Sequence, residues 1–215
     1  MLPDSIGSAR FNLAHTESWL LSVGFDYSTF DDRVNPIRGV RYHTIFTMGR
    51  KKNLGPDFLI ENNDDFDEVL NTRLLQMDAE VVIPTWPHQV IYCGVHGTEV
   101  RTGETFIPIS DQIRFGGSRT LRGYDEDAFR GSLAAWFNVE YRYILARHSR
   151  VFVFIDGGMY QRREEEEGLV KGTKFGYGFG IRIETQLGLI GIDYGIGEGD
   201  GLLKGKVHVG LVNSF

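Results

Sequence analysis

Cysteine occurs once in the 215 residues, at Cys93, and proline six times. One thiol closes no disulfide, and Cys93 alone supplies no metal site. The six histidines are scattered, without the spacing of a metal-ligand set. Positive charge is in the minority, with a net charge of -6, which argues against general nucleic-acid binding. No run of about 18 apolar residues is present, so no membrane-spanning helix is expected. Met1 to Arg10, with Pro3, Asp4 and Arg10, lacks the apolar segment of a signal peptide. There is no Gly-x-Ser-x-Gly nucleophile motif. Gly176-x-Gly178-x-Gly180 sits within a strand pattern with no helix after it, which does not suit a dinucleotide loop. The expectation is a protein without enzymatic activity, cofactor or metal.

Glycine and aromatics are plentiful, at 27 residues and 13%, and they fall in a strict alternation. Trp19, Leu21, Val23, Phe25 and Tyr27 oppose Ser18, Ser22, Gly24, Asp26 and Ser28. Leu75, Met77, Ala79, Val81 and Ile83 oppose Gln76, Asp78 and Glu80. Val139, Tyr141 and Tyr143 oppose Asn138, Glu140 and Arg142, and Phe175, Tyr177 and Phe179 oppose three glycines. Period two over such lengths is the signature of a strand with one apolar and one polar face. Nine clear strands are predicted between Ser18 and Phe215, with a weaker candidate over Ile6 to Ala14.

The strands are about 10–13 residues long, which suits a tilted transmembrane β-strand better than an average soluble one. Short connections (31–36, 84–88, 146–149, 186–188) alternate with longer ones (50–71, 101–130, 161–173, 197–203). Outer-membrane barrels have this rhythm, with short periplasmic turns and long external loops. A soluble sandwich has no reason to keep it. The acidic run Glu61 to Glu68 lacks calcium-loop spacing and, like Glu164 to Glu167, reads as a solvated loop. The polar face is poor in bulk at Gly176, Gly178, Gly180, Gly191 and Gly195, leaving space for something to pack there.

The natural occupant is the connection 101–130, which carries Arg114-Phe115-Gly116-Gly117-Ser118-Arg119-Thr120-Leu121-Arg122-Gly123-Tyr124. Glycines admit close backbone approach, and arginines are forked donors that seek carboxylates. Asn138, Glu140 and Asp156 fall on the predicted inner face. With Asn138-Val139-Glu140-Tyr141-Arg142, Phe154-Ile155-Asp156-Gly157-Gly158, Gly176 to Ile183 and His208-x-Gly210…Phe215, this ordered series resembles the outer-membrane assembly-factor superfamily. That superfamily comprises BamA, TamA, the mitochondrial Sam barrel and the transporters of two-partner secretion, and is also called the bacterial surface antigen family.

The resemblance implies an all-β transmembrane antiparallel barrel of about ten strands, equivalent to the C-terminal part of a sixteen-stranded one. Residues 1–17 would be a weak strand or truncated start, and 18–215 the barrel domain, with loop 101–130 folded into the lumen. Phe115, Gly116, Gly117, Arg122, Gly123 and Tyr124 would form the loop motif. Arg122 would pair with Asp156, with Glu140 close by; Arg119 is the better candidate for a solvated charge. His208, Gly210 and Phe215 would form a C-terminal insertion signal, although Asn213 stands where a hydrophobic residue is usual. The implied function is insertion or assembly of outer-membrane proteins in a Gram-negative-type cell. The alternatives are a two-partner-secretion-type pore or the passive barrel anchor of a patatin-like protein. Implied partners are outer-membrane lipid, client proteins, and periplasmic domains or accessory lipoproteins from a longer parent or a separate chain.

Overall fold

The computed structural model describes residues 16–53, 69–103, 106–164, 168–186 and 188–212. Ile6 to Ala14, the acidic run 61–68 and Phe215 lie outside these. Within them the chain is all-β. Nine long strands form one sheet: β1 (Thr16–Ser28), β2 (Gly39–Asn53), β3 (Val69–Pro84), β4 (Gln89–Thr102), β7 (Leu133–Ala146), β8 (Ser149–Glu164), β9 (Gly168–Thr185), β10 (Gly188–Gly197) and β11 (Lys206–Val212). Two short strands, β5 (Ile113–Phe115) and β6 (Phe129–Gly131), make a hairpin inside the connection between β4 and β7. The order in the main sheet is that of the chain, each strand antiparallel to the next. Among the described residues β1 and β11 pair on one side only, so the sheet is open rather than closed into a barrel.

The alternation places the two faces as the sequence predicts. Val153, Ile155, Tyr177, Phe179, Val207 and Val209 stand exposed on one face. On the other, registered rows cross the strands: Arg41, Glu80, Gly94, Asn138, Asp156 and Gly176 in one, and Tyr92, Glu140, Phe154, Gly178 and Gly195 in the next. The row beyond holds Arg142, Phe152, Gly180, Asp193 and His208. Phe152, Phe154, Asp156 and Tyr160 of β8 each meet a glycine of β9 across the ladder, which leaves room for these side chains on the inner face.

Two expectations need correction. The charged stretch 161–173 is not a long connection: β8 and β9 run on through it, pairing Gln161 with Lys171 and Glu164 with Gly168. Charge on both sides of the strand abolishes the apolar alternation but leaves the backbone ladder intact. The glycines of the polar face also do not all make room for the loop. A Cβ at Gly178 or Gly180 would press on the rings of Phe154 or Phe152, and one at Gly191 on the Arg182 side chain. Gly176 and Gly195 are the ones that face the loop.

The β1–β2 turn reaches across to the β7–β8 turn. Asn35, 2% exposed, donates from Nδ2 to the Arg147 carbonyl at 3.0 Å and accepts from Arg150 Nη1 at 2.9 Å. Asp32 Oδ2 lies 3.2 Å from His148 Nε2, and His148 Nδ1 lies 2.7 Å from Glu184 Oε1. Asp32 also caps its own turn, accepting from the N–H groups of Val34 and Asn35. Burial pushes the Asp32 carboxyl up, but the Asn35 and Val34 N–H groups and His148 together outweigh it and bring it down to about 2. The Glu184 carboxylate, with help from Asp32, raises the His148 imidazolium above its ordinary value.

Candidate functional site: the arginine loop on the polar face

The motif loop lies against β7, β8, β9 and β10. Its apolar anchor is Phe115, Leu121 and Ala134, all buried, with Ile113, Tyr124, Phe129, Trp136 and Tyr160 packed around them. The Phe115 ring lies 5.4 Å from Phe129, 5.9 Å from Tyr160 and 6.3 Å from Trp136 by ring centroids. Gly116, Gly117 and Gly123 all adopt positive φ, at 117°, 90° and 96°, a region that side chains with a Cβ rarely enter. The turn is closed locally. The Gly116 N–H donates to Thr120 Oγ1 at 2.7 Å, and the Ser118 N–H to Glu126 at 2.8 Å.

Those glycines deliver Arg122 to two carboxylates. Asp156 accepts from Arg122 Nε at 2.7 Å, from Nη2 at 2.7 Å and from the backbone N–H at 3.1 Å. Glu140 accepts from Arg122 Nη1 at 2.6 Å and from Arg142 Nε at 2.7 Å. Asn138 Nδ2 completes the cluster, donating to Asp156 and to the Thr120 carbonyl, both at 2.8 Å. The guanidinium carbon sits 3.6 Å from the centre of the Phe154 ring. Arg122 is 4% exposed and Asp156 0%, so the pair is desolvated as well as bidentate, the arrangement in which geometry matters most.

The following residues continue along the sheet. A Cβ at Gly123 would lie 2.6 Å from the Ile196 carbonyl carbon, and one at Gly176 would collide with the Arg122 carbonyl oxygen. Tyr124 Oη donates to the Phe175 carbonyl at 2.8 Å and accepts from the Glu198 N–H at 2.9 Å. Asp125 pairs with Lys206 at 2.9 Å, and Glu126 lies 3.4 Å from His208 Nδ1, which ties the loop to β11. Burial pushes the Glu126 carboxyl up, but the Ser118 N–H and His208 outweigh it and hold it down.

Phe115, Gly116, Gly117, Arg122, Gly123, Tyr124, Glu140 and Asp156 therefore meet in one cluster. Arg119 is exposed and forms no ion pair among the described residues. His208 reaches the edge of the loop. Gly210 pairs with Gly191 on the far row, and Phe215 is outside the described residues. Sequence reasoning missed Thr120, Glu126, Arg142 and the bridging role of Asn138. For Asn138 and Arg142 the signal was present, since each is two residues from Glu140 on the same face.

The Omp85 superfamily domain model matches residues 10–215. The chain belongs to the Omp85 superfamily. No curated protein matches it. Membership places this Omp85 chain among outer-membrane barrels of protein assembly and translocation, a group that acts without catalysing covalent chemistry, and it accounts for the apolar face. So many exposed Leu, Val, Ile, Phe and Tyr side chains on one side of a sheet mark contact with lipid or protein.

Proposed function

We propose that this Omp85 protein inserts or assembles other outer-membrane β-barrels. The observation carrying the reading is the contrast between a locked interior and a weak rim. The loop is fastened to the middle of the sheet by the Arg122 cluster, whereas β11, among the described residues, pairs with β10 alone. It is held by β10, whose own polar face is largely glycine. An unpaired strand edge templates another strand, and in lipid such an edge has to be paired or closed. A client strand that adds at the β11 or β1 edge satisfies that demand, while the locked loop keeps the wall in register. Glu140 and Asp156 act as anchors of the loop, and His208 and Gly210 belong to the edge strand itself.

The test is to fold the chain into lipid vesicles and follow a urea-denatured outer-membrane barrel client as it acquires heat-modifiable gel migration. Accelerated client folding that is lost in Arg122→Ala supports the proposal. Equal client folding in empty vesicles, with strong ion conductance on disturbing the loop, favours a translocation pore. Indifference of both readouts to Arg122→Ala indicates a passive anchor.

A further inference from the structure

Beneath the loop tip, a cavity of about 260 Å³ opens between Ser118 and Arg119 of the loop, the β1–β2 turn, and the polar face of the sheet. Seven arginines line it, against two carboxylates, Glu80 and Glu140. Most of these arginines are already matched. Arg122 and Arg142 share Glu140, and Arg182 makes a fork with Asp193 at 2.7 and 2.8 Å. Arg150 is different. It is 9% exposed, it is the direct cross-strand partner of Arg182, and among the described residues it makes no ion pair, its hydrogen-bond partners being neutral: the Val34 carbonyl at 3.2 Å and Asn35 Oδ1 at 2.9 Å. Its Nε is buried without a hydrogen-bond partner among the described residues. The Phe152 ring has three guanidiniums around it, those of Arg182, Arg122 and Arg150, at 5.0, 5.6 and 5.8 Å.

Like charges placed directly across a ladder are destabilising, and a buried guanidinium without a counter-charge costs more than one that is paired. The cation set is therefore one anion short at Arg150, with Arg119 and Arg33 exposed at the rim and free to turn inward. We propose that this cavity binds a phosphate-type oxyanion, held by Arg150 from the sheet and Arg119 from the loop, with Arg182 adding positive charge while it stays forked on Asp193. Guanidinium forks match phosphate oxygens two at a time, and a tetrahedral dianion offers a separate edge to each of several forks. The volume is several times the share of one water, about 30 Å³, so it takes a phosphate with part of its hydration or the group that carries it. The phosphate can be free in solution or the headgroup of an anionic lipid. Bound there, it would bridge the loop tip, the sheet and the β1–β2 turn.

The test is isothermal titration of the full chain, folded in a phosphate-free maltoside detergent at constant ionic strength. Inorganic phosphate is titrated in one arm and short-chain phosphatidic acid in the other, with chloride as the control anion. The expected result is saturable binding in at least one arm, weakened tenfold or more in Arg150→Gln and clearly weakened in Arg119→Gln. Binding in the phosphate arm identifies a soluble oxyanion as sufficient, and binding in the lipid arm alone identifies the headgroup. Saturation in neither arm, or equal affinity in the wild type and the variants, overturns the proposal. Heat-modifiable migration reports whether Arg150→Gln folds. Should it not, the exposed double variant Arg33→Gln/Arg119→Gln decides in its place, loss of binding supporting the site and unchanged binding overturning it.

Discussion

Asp156 takes three hydrogen bonds from the single residue Arg122, two from the guanidinium and one from the backbone N–H. Side-chain charge and loop backbone are thus fixed by the same carboxylate, so the pair positions the chain and does more than neutralise charge. Arg122→Ala leaves Asp156, fully buried, with only neutral donors, the backbone N–H of residue 122 and Asn138, and leaves Glu140 with Arg142. Breaking one side of a buried pair costs about 3–5 kcal/mol. We expect a loss of that order in the unfolding free energy read from urea titration of the folded protein, together with new protease cleavage within 106–130. Arg122→Lys should recover little, because an ammonium cannot present forks to Asp156 and Glu140 at once. Full stability in Arg122→Ala would mean the loop is held by its aromatic anchor alone.

The glycines facing the loop give a steric prediction. Gly176→Ala directs a methyl group at the Arg122 carbonyl oxygen, and that oxygen belongs to backbone that Asp156 holds in place. Gly123→Ala adds a positive φ of 96° to the same crowding. Both should expose the loop to protease while leaving the sheet intact. Gly97→Ala, where a Cβ meets nothing within 4 Å, should behave as wild type. Circular dichroism and limited proteolysis on the three variants make the comparison.

These relationships explain what could be read from the chain beforehand. Strand alternation is a local property, so the sheet, its two faces and the inward position of Asn138, Glu140 and Asp156 were visible in the sequence. The Arg122–Asp156 partnership came from a resemblance, since nothing in local pattern says which of several inward carboxylates a loop arginine will reach. The extension of β8 and β9 through Gln161 to Thr173 was invisible because backbone pairing leaves no trace where both faces are charged. The contact of Asn35 with Arg147 and Arg150 was equally hidden, since it depends on the curvature of the whole sheet. Gly178 and Gly180 were read as space for the loop because the facing residues, Phe152 and Phe154, are named only once the register is known.

The turn-to-turn contact predicts a pH dependence at the short-connection end. His148 has a raised value when folded, so its contribution is complete below its ordinary 6.5 and fades as pH climbs through the raised value. Asp32 is depressed, so its contribution is complete above the ordinary 3.8 and fades as pH falls towards about 2. The contact should be tightest between about pH 4 and 6.5. Both residues are partly solvated, and the effect should be small. Thermal unfolding followed from pH 4 to 9 should show a decline on the alkaline side that His148→Gln removes. A decline unchanged in that variant would assign it to other groups.

The fold of β8 carries the sharpest test of which face meets lipid. Phe154 and Ile155 are neighbours in sequence but lie on opposite faces, at 2% and 57% exposure. In water an exposed isoleucine tolerates replacement by arginine with little loss. In a bilayer the same change at a lipid-facing position near the midplane costs about 2–4 kcal/mol, less towards either interface. Ile155 sits mid-strand between Val139 and Tyr177, far from both turns, so Ile155→Arg should approach the upper part of that range when the chain is refolded in vesicles. Arg162→Ala, near the end of the same strand, should change little. Comparison of urea midpoints in vesicles for the two variants reads the difference directly. A near-neutral Ile155→Arg would mean that a protein surface or water, rather than hydrocarbon, covers this face.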